Sequence, residues 1–221
     1  MIPNNPNQRE RSQASVSEED VAEGTTTIGI TAGDSVVLAT EQRASMGNLV
    51  ASKTAKKIYQ VTDDAALTIS GGVGDGQNLA KTLKVEANLY EMRRGKPMTM
   101  TGLASMAGNV LRSYLFRVLP ILGGVDDEGA HVFSLDPAGG VMEEEYVSTG
   151  SGSVIAYGVL EDGYHEDIGV EDAKTLAVRG LESAMERDTA SGNGILLAEI
   201  TQEEGFRQLD DDEIGAIADD L

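Results

Sequence analysis

Cysteine is absent from the 221-residue sequence, which excludes disulfide scaffolds, thiol nucleophiles and zinc–thiolate sites. Histidine occurs only twice, at His131 and His165, too few for a histidine-rich metal site and thin material for a Ser-His-Asp triad. No apolar run approaches the roughly 20 residues of a membrane helix, and residues 1–20 hold no apolar core of a secretory signal. Positive charge is scarce as well. Lys plus Arg number 17 against 37 Asp plus Glu, a net charge of −20 with a pI near 4.3. A surface of that sign repels phosphate backbones and anionic headgroups, so neither nucleic acid nor membrane is an expected partner. The absences together point to a soluble cytoplasmic chain without metal or cofactor.

Hydrophobic residues make up 40%, the proportion of a globular chain, and the length suits one domain at roughly 100–200 residues each. Between Arg117 and Lys174 there is no Lys or Arg and there are thirteen acidic residues. An acidic run is ordinarily a solvated face. Spread over the whole chain, the acidity suggests halophilic origin, because molar salt screens the self-repulsion of a large net charge.

Residues 1–24 are polar, hold Pro3 and Pro6 and show no apolar periodicity, so they read as a removable segment ahead of a domain spanning 25–221. From Gly24 onward, 25–30 and 35–40 read as strands joined by Ala32-Gly33-Asp34, and 57–61 and 65–70 as a second pair. Helical spacing follows. Ala80, Leu83, Ala87 and Tyr90 define one helix, and Leu103, Met106, Val110 and Tyr114 another that ends before Pro120. Strands return at 121–125, 131–135 and 141–148, a helix is marked by Ala173, Leu176, Gly180 and Ala184, and a last strand lies near 195–200. The tail after 209 reads as frayed or loosely helical. Grouped strands and grouped helices predict an α+β fold of stacked layers rather than a parallel βαβ sheet.

With no cysteine and few histidines, the chemistry left is that of Ser, Thr, Lys and carboxylates. A threonine hydroxyl needs a base, and a chain's own N-terminal amine, titrating near 7.7–8.0, is suited to that task. Such a site requires a dispensable leader, then an unhindered residue, then Thr or Ser opening a strand. The polar leader, Gly24 and Thr25-Thr26-Thr27 have that layout. Taken alone, three threonines opening a strand more often reflect β propensity than catalysis.

The segments GTTTIGI, LATEQRAS (38–45), AKKIYQ (55–60), ISGGVGD (69–75), STGSGS (148–153), AYGVLE (156–161) and ERDTASGNG (186–194) together resemble, in order and spacing, the archaeal proteasome β subunit. The resemblance runs to about residue 210. It implies the four-layer αββα sandwich of N-terminal-nucleophile hydrolases and a threonine endopeptidase freed by self-cleavage between Gly24 and Thr25. Thr25 matches the nucleophile, Lys57 the lysine beside its hydroxyl, and Glu41 that lysine's acidic partner, where many relatives carry Asp. Asp188, Ser191 and Ser151 match the residues that orient the terminal amine and a water. Gly71 matches the glycine whose N–H forms the oxyanion hole. Substrate-pocket positions fall on Ala44, Ser45, Ala55, Ile69, Val73 and Gln77, small or uncharged walls that favour cleavage after apolar side chains. His131 and His165 match no catalytic position.

The partners implied are proteasome α subunits and other β subunits in stacked seven-membered rings, an ATP-dependent unfoldase ring, and polypeptide substrates. Below molar salt, the charge on each subunit is expected to loosen ring contacts. Two other readings stand beside this one: another N-terminal-nucleophile amidohydrolase or peptidase, and a catalytically silent ring subunit kept for assembly. The STGSGS and ERDTASG segments argue against the first, and an intact Thr25, Lys57 and Asp188 against the second.

Overall fold

The computed structural model describes residues 24–114 and 116–219. Positions 1–23 of the expected leader, and the last two residues of the expected domain, lie outside the described residues. In chain order the first half runs β1 (Thr26–Ala32), β2 (Ser35–Glu41), β3 (Ala44–Met46), β4 (Leu49–Ser52), β5 (Ile58–Gln60), β6 (Ala65–Gly71), α1 (Val73–Arg94) and α2 (Met100–Tyr114). The second half runs β7 (Val118–Asp126), β8 (Gly129–Leu135), β9 (Val141–Glu143), β10 (Tyr146–Gly150), α3 (Ser153–Gly163), α4 (Val170–Arg187), β11 (Ile195–Thr201), β12 (Gly205–Gln208) and α5 (Asp211–Asp219).

The N-terminal hairpin is apolar on both faces. Ile28, Ile30, Val37 and Ala39 pack toward α3 and α4, while Val36 and Leu38 pack toward a second sheet. Strands buried on both faces belong in the middle of a sheet, and here the antiparallel order is β10-β1-β2-β11-β12. The second antiparallel sheet, β5-β6-β7-β8-β9, divides its side chains the same way. Leu67, Ile69 and Leu122 meet α1 and α2, whereas Ala66, Ile121 and Val132 face the first sheet. Close approach of the sheets requires a residue without a side chain at Gly29, where a Cβ would sit 2.8 Å from Ile121. The outcome is helices, sheet, sheet, helices: the expected αββα sandwich.

Several expectations shift in detail. The strand expected over 141–148 is two strands in different sheets, because the chain leaves the second sheet through the exposed run Glu143–Glu145 and enters the first at Tyr146. In α2 the buried stripe is Met100, Leu103, Ala104, Ala107 and Leu111, with Met106 and Val110 at its flank and Tyr114 exposed. That helix ends at Tyr114, ahead of Pro120 as expected, and Pro120 itself lies inside β7, opposite Ile69. The tail forms α5, anchored by Ile214. The pattern did not disclose the β3–β4 hairpin, β12 or α3, whose entry through Ser-Thr-Gly-Ser-Gly-Ser reads as loop.

Candidate active site

The register of the two sheets gathers the expected site residues at one end of the sandwich. Thr25 directly precedes β1, whose Thr26 pairs with Gly150 at the end of β10, just before Ser151. Glu41 ends β2 opposite Ile195, the first residue of β11, so the loop carrying Asp188 and Ser191 arrives beside it. Lys57 precedes β5 and is anchored by its carbonyl, which accepts from the Ile69 N–H at 3.0 Å. Gly71 ends β6.

Thr25 is buried, and its hydroxyl donates to the Gly24 carbonyl oxygen at 2.5 Å. The Lys57 ammonium donates to Thr25 Oγ1 at 3.0 Å, to the Arg43 carbonyl at 2.6 Å and to Glu41 Oε1. Its three protons thus have three acceptors. Burial pulls the Lys57 pKa below the ordinary lysine value, with the Glu41 carboxylate opposing that shift. Glu41 itself is 0% exposed, a state a carboxylate reaches only when paired and hydrogen-bonded. Besides Lys57, it accepts from the N–H groups of Thr26 at 3.3 Å, Arg43 at 2.6 Å and Gly192 at 3.0 Å. The glutamate is long enough to reach all four.

On the other side of Thr25, Asp188 Oδ2 accepts from Ser151 Oγ at 2.5 Å and Ser191 Oγ at 2.7 Å. Its second oxygen accepts from the Ala190 N–H at 3.2 Å, an Asx turn that fixes the loop after α4. Ser191 Oγ in turn lies 2.7 Å from Thr26 Oγ1. Gly71 adopts φ +101, and a Cβ there would stand 2.6 Å from the Arg117 carbonyl, so both backbone and space demand glycine. Gly24 is demanded by space alone, since a Cβ would fall on that of Ala190.

A cleft of about 320 Å³ opens over Thr25. Of the expected pocket residues, Ala44, Ser45, Ile69 and Val73 line it together with Thr25, Lys57 and Gly71, while Ala55 and Gln77 do not. Ala55 is half-buried behind the β2–β3 connection, its N–H bonded to Gln42, and Gln77 points outward from α1. Met46, Ala51, Lys56 and Tyr59 line the cleft without having been anticipated. Missed too was Arg43, which joins the site's two sides. Its N–H and carbonyl serve Glu41 and Lys57, and its guanidinium donates to Asn193 Oδ1 at 2.8 Å and the Thr189 carbonyl at 2.7 Å. Arg43 and Thr26 both lie inside the quoted motifs, but nothing in one sequence separates them from their neighbours. His131 sits apart, between Glu143 at 2.6 Å and Asp126 at 3.2 Å. Among the described residues no cluster of three or more His, Asp or Glu is arranged to hold a metal ion.

A four-layer αββα sandwich with threonine at the head of a central strand is the architecture of N-terminal-nucleophile hydrolases. The sequence model of the family described as proteasome subunit matches residues 21–200. Proteasome subunit beta of Methanothermobacter thermautotrophicus is 52% identical over 202 residues, covering 90% of this chain and 96% of that one. The protein of the same name from Archaeoglobus fulgidus is 50% identical over 207 residues, covering 92% and 97%. That from Halorubrum lacusprofundi is 53% identical over 187 residues, covering 84% and 77%. The chain belongs to the proteasome subunit family, and so is one component of an assembly.

Proposed function

We propose that the chain is the catalytic β-type subunit of a proteasome core: a threonine endopeptidase whose nucleophile, Thr25, is exposed when the leader is cut after Gly24. The observation that carries this reading is the Lys57 ammonium, 3.0 Å from Thr25 Oγ1 and itself held by buried Glu41. Such a cation, fixed before any substrate arrives, favours the alkoxide-like oxygen of an attacking hydroxyl.

In the uncut chain the Thr25 nitrogen is an amide and no base. Lys57 donates to Oγ1, whose own proton lies on the Gly24 carbonyl oxygen, so water carries that proton to the departing Thr25 nitrogen while the ammonium steadies the attacking oxygen. Attack on the Gly24 carbonyl carbon closes a five-membered ring, the C–N bond breaks, and the Gly24 acyl group passes to Oγ1 as an ester. Water hydrolyses that ester, releasing the leader and the Thr25 amine. Thereafter the amine serves as base for intermolecular attack, with Ser151, Asp188 and Ser191 as its supports and Gly71 N–H as the oxyanion donor. The small apolar walls Ala44, Ala51, Ile69 and Val73 suit apolar side chains before the cleaved bond.

The resemblance extends the proposal to partners: α-type rings, an ATP-driven unfoldase and unfolded polypeptides, in the cytoplasm. The test is intact mass of the subunit co-expressed with its α partner in high salt, beside Thr25→Ala. A species beginning at Thr25, with Thr25→Ala neither shortened nor active, is the expected result. Particles that retain residues 1–24, or Thr25→Ala particles that still cleave peptides, overturn it.

A further inference from the structure

The cleft over Thr25 has a larger neighbour. On the far side of Gly71 a second cleft, of about 670 Å³, is walled by Ser70, Phe116, Arg117, Leu119 and Ser151. Gly71 belongs to both walls. Gly150, on the second, lies so close to the nucleophile that a Cβ there would fall on the Thr25 carbonyl oxygen. The two clefts therefore share the Gly71 wall, with Thr25 lining the first and Gly150, beside the Thr25 carbonyl, lining the second.

We propose that the second cleft receives the part of the substrate that follows the cleaved bond, and that Arg117 selects acidic side chains within it. The proposal rests on the threonine-peptidase reading and follows from where the proton must go. Attack by Thr25 Oγ1 forms the C–O bond of an acyl ester and breaks the substrate C–N bond. The hydroxyl proton passes through the freed α-amine to the departing nitrogen, which leaves as a new amino terminus, and water then hydrolyses the ester. The departing nitrogen must come within reach of that amine, on the side supported by Ser151. Ser151 lines the second cleft and not the first, while Lys57 lines the first and not the second. The acyl half thus occupies the small apolar cleft and the departing half the larger one.

Arg117 is the one charged residue among the described residues lining this second cleft. Its backbone N–H is bound to Asp75 Oδ2 at 2.9 Å, but its guanidinium forms no salt bridge among the described residues. It is also the last basic residue before Lys174 in a chain of net charge −20. An exposed cation at the edge of a cleft in so negative a protein discriminates between carboxylate and ammonium side chains that enter it.

The experiment uses assembled particles and three quenched fluorescent peptides. They are identical up to the cleaved bond and carry Glu, Gln or Lys at the second and third positions beyond it. In the unaltered particle kcat/KM for the Glu peptide is expected to exceed that for the Lys peptide about fivefold, the range of a partly exposed ion pair. Arg117→Gln brings the ratio near one, Arg117→Glu inverts it, and Arg117→Lys retains the preference for Glu. Each ratio is read within one particle, so partial misfolding or poor assembly cancels. As a measure independent of any variant, free peptides representing the departing segment should inhibit the unaltered particle about fivefold more tightly with Glu than with Lys. A ratio near one in the unaltered particle, or a ratio unmoved by Arg117→Gln and Arg117→Glu, overturns the assignment. Failure of the unaltered particle to cleave any of the three peptides overturns the peptidase reading itself.

Discussion

Lys57 and Lys174 are both buried in this protein, and their surroundings differ in kind. Lys174 donates to two carboxylates, Glu199 at 3.0 Å and Glu171 at 2.6 Å, and Glu199 continues to Arg207 and Glu213. Burial alone would lower the Lys174 pKa, but the two carboxylates outweigh it and the pKa is raised. Lys57 has one carboxylate, a carbonyl and a hydroxyl, and there burial wins and the pKa is lowered. The same side chain is a fixed structural cation in one place and, in the other, a cation directed at a hydroxyl oxygen. What decides is the count of negative charges set against the cost of leaving water.

The comparison breaks most sharply on activity. Lys57→Met should slow both leader removal and peptide cleavage by at least about 100-fold. Lys174→Met should leave both near the rates of the unaltered chain, as mass spectrometry and peptide turnover will show. Equal losses would mean that Lys57 acts only as scaffold. Stability ranks them the same way, since Lys57→Met leaves buried Glu41 without its cation, a cost of several kcal/mol. Lys174→Met leaves Glu199 with Arg207 alone and should cost about 2 kcal/mol, less than a fully orphaned buried charge, read from urea unfolding curves.

Alkaline pH sharpens the contrast, because the two lysines contribute slopes of opposite sign. The raised Lys174 pKa supplies stability that is complete below the unfolded value of about 10.4 and is lost as pH rises through the folded value. The lowered Lys57 pKa does the reverse: the penalty for its charge is full below its folded value and is relieved as pH climbs toward about 10.4. In urea titrations from pH 8 to 11, Lys174→Met should remove a falling component and Lys57→Met a rising one. The smallest effect is expected at His131, where burial opposes the charge but Glu143 and Asp126 outweigh it and raise the pKa. Its contribution is complete below about pH 6.5 and fades as pH rises through the raised value. Hydrogen exchange of β8 and β9 amides, compared with His131→Gln at each pH, should show extra protection at pH 6 that is gone by pH 9.

The sandwich was legible because its central strands are short, largely apolar runs bounded by turn residues and its core helices carry small or aliphatic residues at helical spacing, as Ala173, Leu176, Gly180 and Ala184 do on α4. What escaped was structure set by tertiary context. Nothing local tells Glu144 and Glu145 that they span a crossing between sheets, or Ser151 that its hydroxyl serves Asp188 instead of capping α3. The polar end of the sandwich was legible only as an ordered set of short segments. Arg43 was invisible for a related reason: its work is done as much by its backbone as by its guanidinium, and backbone groups leave no mark in composition.

The Glu41 carboxylate has a consequence beyond pairing a lysine. Its donors come from four separated stretches of chain: the start of β1, the β2–β3 connection, the residue before β5 and the loop before β11. Take away any one and a charge with no access to water is left short of a partner, at a cost of several kcal/mol. Such a group acts as a coincidence detector for folding. The tetrad forms together or not at all, so a half-folded subunit has no partly armed nucleophile, and the capacity to cut appears only once both sheets have closed on each other.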